Sequence, residues 1–155
     1  VMNTDNVAVS GETIDYGPCA FMNAYDPATV FSSIDRGGRY AYGNQPNITL
    51  WNLARFAEAL LPLIDPDPDT AVGLATDVLN DFPTVYGGHW LAGMRRKLGL
   101  RTDEAGDAAL VQELLDWMQR TKADFTNTFR DLSDGVPAGD RYGDADFPGW
   151  FGKWQ

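Results

Sequence analysis

The chain has 155 residues, 44% of them apolar, with 12 Lys and Arg against 22 Asp and Glu and a formal net charge of −10. That length makes about one domain with its own core, and an acidic chain is a poor partner for nucleic acid or an anionic membrane, which are bound by cationic side chains. No apolar run approaches the roughly 20 residues of a membrane span, and the single Cys19 leaves no internal disulfide.

Residues 1–18 (VMNTDNVAVSGETIDYGP) carry the chemistry. Val7 and Val9 alternate with small residues, Gly11 supplies turn geometry and Thr13-Ile14 favour extended backbone, so the stretch predicts a short β-hairpin. Such a hairpin would bring Asp5, Asn6 and Asp15 to one end of a small sheet. Two carboxylates and an amide oxygen are a hard-oxygen set suited to Mg²⁺, with phosphates completing the shell. A plainer reading stands beside it, in which Asn3, Asp5 and Asn6 cap turns through their side chains. Cys19, beside Pro18 and Phe21, reads as a small buried residue rather than a reactive thiol.

Residues 18–47 mix turn-formers with aromatics and predict an ordered, irregular loop with at most a short helix near 27–31. Arg36, Arg39, Tyr40 and Tyr42 are candidates for contact with substrate or phosphate. The alternative is that the tyrosines pack the loop and the arginines pair with nearby acids.

From Ile48 to Ile64, apolar residues recur at three- and four-residue steps and predict an amphipathic helix. The run Asp65-Pro66-Asp67-Pro68-Asp69 ends it and starts another; its acids are better explained as caps than as metal ligands. Residues 70–100 predict one long helical arm or two abutting helices, with a kink or break near residues 80–83 at Pro83. An apolar stripe from Leu74 through Val78 and Val85 to Met94 marks their inward face. His89 lacks a second metal-ligand partner and reads as structural. Arg95-Arg96-Lys97 suit a helix C-terminus, and Gly99 suits its stop.

A further helix is expected from Thr102-Asp103-Glu104 to Thr121, another over Asp124–Leu132, and a short aromatic helix near the end of a Gly- and Pro-rich tail.

Protein kinases hold nucleotide-bound Mg²⁺ with a catalytic-loop Asn and the Asp of an Asp-Phe-Gly triplet. Asn6 and Asp15-Tyr16-Gly17 match that pair. The kinase catalytic Asp stands five positions before its Asn, where this chain has Val1. A valine cannot accept a proton, which leaves Asp5 as the adjacent carboxylate able to act as base.

The words VMNTDN, TIDYGP, AYDP, GRYAYGNQP, WNLARFAEALLPLI, MRRKLGL and DFTNTFRDL closely resemble the selenoprotein O family of pseudokinase-like protein adenylyltransferases. The resemblance implies a mainly α (α+β) fold, the C-lobe part of a protein-kinase-like fold, with the hairpin followed by a helical bundle. It divides the chain into residues 1–47, a metal-binding hairpin and activation-loop-like segment, and residues 48–155, a helical C-lobe and extension. It implies Mg²⁺-dependent transfer of AMP from ATP to hydroxyl side chains of proteins, with Asp5 as catalytic base and Asn6 and Asp15 as metal ligands; Mn²⁺ could replace Mg²⁺. No Gly-rich phosphate loop or strand-borne Lys is present, so the chain reads as an internal fragment whose ATP-gripping residues lie upstream and which is inactive by itself. A kinase-like phosphotransferase and a non-catalytic helical scaffold are the competing readings. The redox-active Cys or selenocysteine that the family commonly carries near its C-terminus has no counterpart here.

Overall fold

A computed structural model describes residues 1–12, 20–135, 137 and 139–155, with Arg141 described by its backbone alone. The architecture is mainly helical. Among the described residues five α-helices follow one another: α1 (Gln45–Ile64), α2 (Pro68–Leu98), α3 (Asp107–Thr121), α4 (Phe125–Ser133) and α5 (Phe147–Trp154). Single 3₁₀ turns occur at Thr4–Asn6, Tyr42–Asn44 and Asp140–Tyr142. The β-structure among the described residues is one antiparallel bridge, Ala24 to Asp124. Two compact units divide the chain: Val1–Ala20 with Ala28–Gly87, and Phe21–Pro27 with Gly88–Gln155.

In the first unit the N-terminal segment corrects the expectation of a β-hairpin. Val7–Ser10 form no strand; the Gly11 N–H donates to the Ala8 carbonyl at 3.0 Å and closes a tight turn, with Gly11 at φ +70°. Two valines favour extended backbone only when a neighbouring strand takes up their backbone groups, and no such partner exists among the described residues. The expected second arm, Thr13-Ile14, lies outside them, as do Asp15 and Cys19. Residues 27–31 form a turn at Pro27-Ala28 rather than a helix.

Pro46 sits in the first turn of α1, where its missing N–H costs nothing. Asp65 adopts extended backbone and ends the helix. Asp67 then caps α2: its Oδ2 accepts the Thr70 N–H at 2.9 Å and the Thr70 hydroxyl at 2.6 Å. That hydroxyl, with the N–H behind it, lowers the Asp67 pKa. The acidic cluster is therefore a cap, as its spacing suggested.

Helix α2 is continuous through Pro83 and Gly87-Gly88, one long arm rather than two abutting helices, with no break at Pro83. Proline removes one hydrogen bond, to the carbonyl four residues back; in a helix of 31 residues the bonds on either side carry on. Its expected inward stripe is only partly inward. Leu74, Val78 and Val85 are exposed, Val78 at 72%, whereas Met94 is buried at 5%.

The second unit holds most of the buried apolar residues. Gly99, at φ +67°, lets α2 stop: Leu100 N–H reaches the Arg95 carbonyl at 3.0 Å and Gly99 N–H the Arg96 carbonyl at 3.3 Å. Helix α3 starts at Asp107 and not at Thr102 because Asp107 draws the preceding residues into a turn. Its buried carboxylate accepts the Glu104 N–H at 3.0 Å and Arg95 Nε at 2.6 Å. Arg95 also reaches Asp103 at 3.0 Å. Val111, Leu114, Leu115, Trp117 and Met118 form the buried face of α3. Helix α5 packs on it, with Phe147 4.7 Å from Trp117 between ring centres and Trp150 Nε1 donating to the Leu110 carbonyl at 2.8 Å. Asp124 caps α4 by accepting the Asn127 N–H at 2.7 Å.

Candidate functional site

The site residues legible in the sequence stand on the Thr4–Asn6 turn of the first unit. Asn6 N–H donates to the Asn3 carbonyl at 3.0 Å and Val7 N–H to the Thr4 carbonyl at 3.2 Å, so Asp5 and Asn6 sit on consecutive positions of one closed turn. Both side chains are exposed. Asn6 Nδ2 donates to the Val1 carbonyl at 2.8 Å. This commits the nitrogen end of the amide and leaves Oδ1, the end a hard cation takes. The Asp5 carboxylate makes no hydrogen bond among the described residues. Asp15, the third member of the predicted set, lies outside them.

Two residues that the sequence did not single out hold this turn to α1. Gln45 and Asn52 are seven positions apart, two turns of helix, and so share one face. Gln45 Oε1 accepts the Met2 N–H at 2.7 Å, while its Nε2 donates to the Ala41 carbonyl at 3.1 Å and to the Tyr40 carbonyl. Asn52 Nδ2 donates to the Met2 carbonyl at 2.8 Å, and its Oδ1 accepts the Thr4 hydroxyl at 2.9 Å. Asn52 is 6% exposed, one of the few buried polar side chains among the described residues. No local signal marked either: Gln45 and Asn52 lie more than about 100° around α1 from the centre of its Leu50–Ile64 apolar stripe, where polar residues are ordinary. The partners, 43 to 50 residues away in sequence, carried none.

Residues 29–42 are held mainly by their own turns. Asp35 Oδ1 and Oδ2 each accept a backbone N–H at 2.8 Å, from Arg39 and Tyr40, around Gly38 at φ +65°. Tyr42 N–H donates to the Thr29 carbonyl at 2.9 Å. Burial, and then the nearby Tyr86 phenol, raise the Tyr42 pKa, so Tyr42 stays protonated. The Arg39 guanidinium lies 5.0 Å from the Trp51 ring centre and Arg55 lies 5.3 Å from it. Arg39 is thus a stacking cation, and Arg55 also pairs with Glu58 at 2.6 Å. Arg36 and His89 are exposed.

No cluster of three or more His, Cys, Asp or Glu among the described residues could hold a metal by itself. The donor chemistry nevertheless fits Mg²⁺, which is commonly held by one or two protein oxygens with phosphates and water completing its shell. Asn6 Oδ1 is an oxygen of that chemical kind.

The profile of the family described as "Protein adenylyltransferase SelO" matches residues 1–141. Three similar relatives each carry the name "Protein nucleotidyltransferase YdiU". That of Alkaliphilus metalliredigens is 58% identical over 156 residues, that of Brevibacillus brevis 57% over 156, and that of Rhizobium etli 58% over 165. Each alignment covers all of this chain and 32–33% of the relative. The chain therefore spans about a third of the length of the curated relatives it matches.

Proposed function

This chain belongs to the protein adenylyltransferase SelO family, and we propose that it supplies the base-bearing and metal-bearing third of an enzyme that transfers AMP from ATP to hydroxyl side chains of proteins. The observation that carries the reading is the Thr4–Asn6 turn, where an exposed carboxylate adjoins an amide whose nitrogen is committed and whose oxygen is not. On this reading residues 1–47 carry the chemistry. Residues 48–155 support them as the helical C-lobe of a kinase-like fold and its extension.

In the reaction the substrate hydroxyl oxygen forms a bond to the α-phosphorus of ATP. The bond from that phosphorus to the bridging oxygen breaks and pyrophosphate leaves. Asp5 takes the hydroxyl proton, a role suited to an exposed carboxylate with no competing hydrogen bond among the described residues. Asn6 Oδ1 and Asp15 would hold Mg²⁺ (Mn²⁺ has the same preference for oxygen), which when bound neutralises charge on the phosphates. The part of the site that grips ATP belongs to the remaining two-thirds of the protein, and the 155-residue chain alone is inactive. Val1, at the kinase base position, disfavours a phosphotransferase because it cannot accept a proton.

The test is mass spectrometry of protein substrates incubated with ATP, Mg²⁺ and the full-length enzyme, beside Asp5→Ala and Asp15→Ala variants. The expected result is a mass gain of AMP that drops at least about 100-fold in either variant. Gain of phosphate instead would establish the kinase alternative. Transfer that persists undiminished in Asp5→Ala would remove Asp5 as the base.

A further inference from the structure

We propose that Asn52 is a positioning residue for the reaction: its buried amide holds the Met2 carbonyl and the Thr4 hydroxyl, one on each side of Asn3, and so sets the turn that presents Asp5 and Asn6. The inference rests on the reading of those two residues given above. Its basis is geometric. Asn52 bonds twice to a segment 48 to 50 residues away, once to a main-chain carbonyl and once to a side-chain hydroxyl. The Met2 carbonyl can only accept, so the amide must turn its Nδ2 toward Met2, which leaves Oδ1 for the Thr4 hydroxyl. Thr4 is the first residue of the turn, and its own carbonyl accepts the Val7 N–H that closes it. Asn52 therefore grips the turn at its entry, with Asp5 and Asn6 immediately beyond. The nearby Gln45 grips Met2 from its N–H side at 2.7 Å.

Only a side chain that donates and accepts at short reach meets both demands. Leucine has the volume and neither bond. Aspartate as its anion would face the Met2 carbonyl with no proton to donate. Glutamine is one methylene too long for the same two contacts without a shift of α1 or the loop. Asn52 itself is buried, so replacing it leaves the Met2 carbonyl without a bond at a partly buried position. The turn is then free to move, and displacements of about 1 Å at a reacting group can cost on the order of 100-fold in rate.

The experiment uses the full-length enzyme with Asn52→Leu, Thr4→Val and Thr4→Ser, each assayed for AMP transfer at a temperature where circular dichroism shows it folded. For Asn52→Leu, kcat is expected to fall at least about ten-fold while the KM for ATP stays within about three-fold, since misplacement of base and metal ligand affects the chemical step rather than nucleotide affinity. Thr4→Val loses a smaller share of kcat, and Thr4→Ser, which keeps the hydroxyl, recovers it. In the double variant Thr4→Val with Asn52→Leu, the rate is no lower than in Asn52→Leu alone, because both remove the same contact. A kcat within three-fold of wild type in Asn52→Leu, or equal rates in Thr4→Val and Thr4→Ser, overturns the proposal.

Hydrogen exchange gives a readout that does not depend on the reaction. The amides of Asn6 and Val7, bonded within the turn, should exchange at least about ten-fold faster in Asn52→Leu than in wild type. Unchanged exchange also overturns the proposal. Absence of AMP transfer by the wild-type enzyme would instead sink the functional reading, and exchange would still decide whether Asn52 holds the turn.

Discussion

Asp107 shows how one side chain sets where an element begins. The Glu104 N–H, and after it the Arg95 guanidinium, hold its carboxyl below the ordinary value of 3.8, and they prevail over burial, which pushes the other way. A carboxyl whose pKa is lower in the folded than in the unfolded state contributes stability above the unfolded value. That contribution disappears as pH falls through the folded value. Asp107→Asn should therefore lower the melting temperature at pH 7, and the gap from wild type should close as pH drops below the ordinary 3.8. Thermal unfolding followed by circular dichroism across that range reads it directly. A gap as wide at pH 3 as at pH 7 would show that the charge of Asp107 does not hold the start of α3.

Among the elements, α4 offers the clearest separation of local from tertiary contributions. It has nine residues, too short to persist in water unaided, so its cap and its packing must both act. Asp124 Oδ1 accepts the Asn127 N–H, and the buried Phe129 and Leu132 anchor the inner face. Asp124→Ala should cost about 1 kcal/mol of folding stability by losing the cap, read from denaturant unfolding. Asp124→Asn, which keeps an oxygen acceptor, should lose much less, and equal losses in the two variants would show that the cap is idle. The Asp67 cap on α2 could be read in advance, because a cap and its helix lie within four residues of each other. The N-terminus was the opposite case. Val7 and Val9 read as a strand, but strand geometry depends on a partner that local sequence cannot supply. Pro83 likewise reads as a kink or break, and no break forms because a long helix on both sides absorbs the one missing bond. Asp5 and Asn6 stood out as candidates because VMNTDN resembles a known family's motif and not because of their residue types, since Asp and Asn are common in turns. Gln45 and Asn52, which hold their turn, did not, because their bonds cross more than 40 residues.

At the scale of the whole chain, net charge and exposed apolar surface oppose each other. Leu74, Val78 and Val85 lie within about 40° of one another around α2, and all three are exposed; Leu63, on α1, is exposed at 83%. Surface of this kind lowers its free energy by leaving water, about 25 cal/mol for each Å² covered, and contiguous apolar patches favour association. A net charge of −10 repels like copies, but only across a Debye length of about 30 Å at 0.01 M salt and about 8 Å at 0.15 M. The 155-residue chain expressed alone should therefore be closest to its monomer mass of 17.1 kDa at low salt. It should shift to larger species as salt rises, the reverse of an association built on ion pairs. Val78→Lys and Leu74→Lys place cations in the stripe and should suppress that shift, although each also brings the net charge closer to zero. A counterpart lysine at an exposed position outside the stripe, Ala59→Lys on α1, changes the charge by the same amount without touching the apolar surface. Light scattering coupled to gel filtration across the salt series separates the two effects. Equal suppression by Val78→Lys and Ala59→Lys would show that the α2 stripe is not the surface that associates, since less net charge by itself favours association. Suppression by Val78→Lys alone assigns it to the apolar stripe of α2, the side of this helix that a longer chain has most to gain by covering.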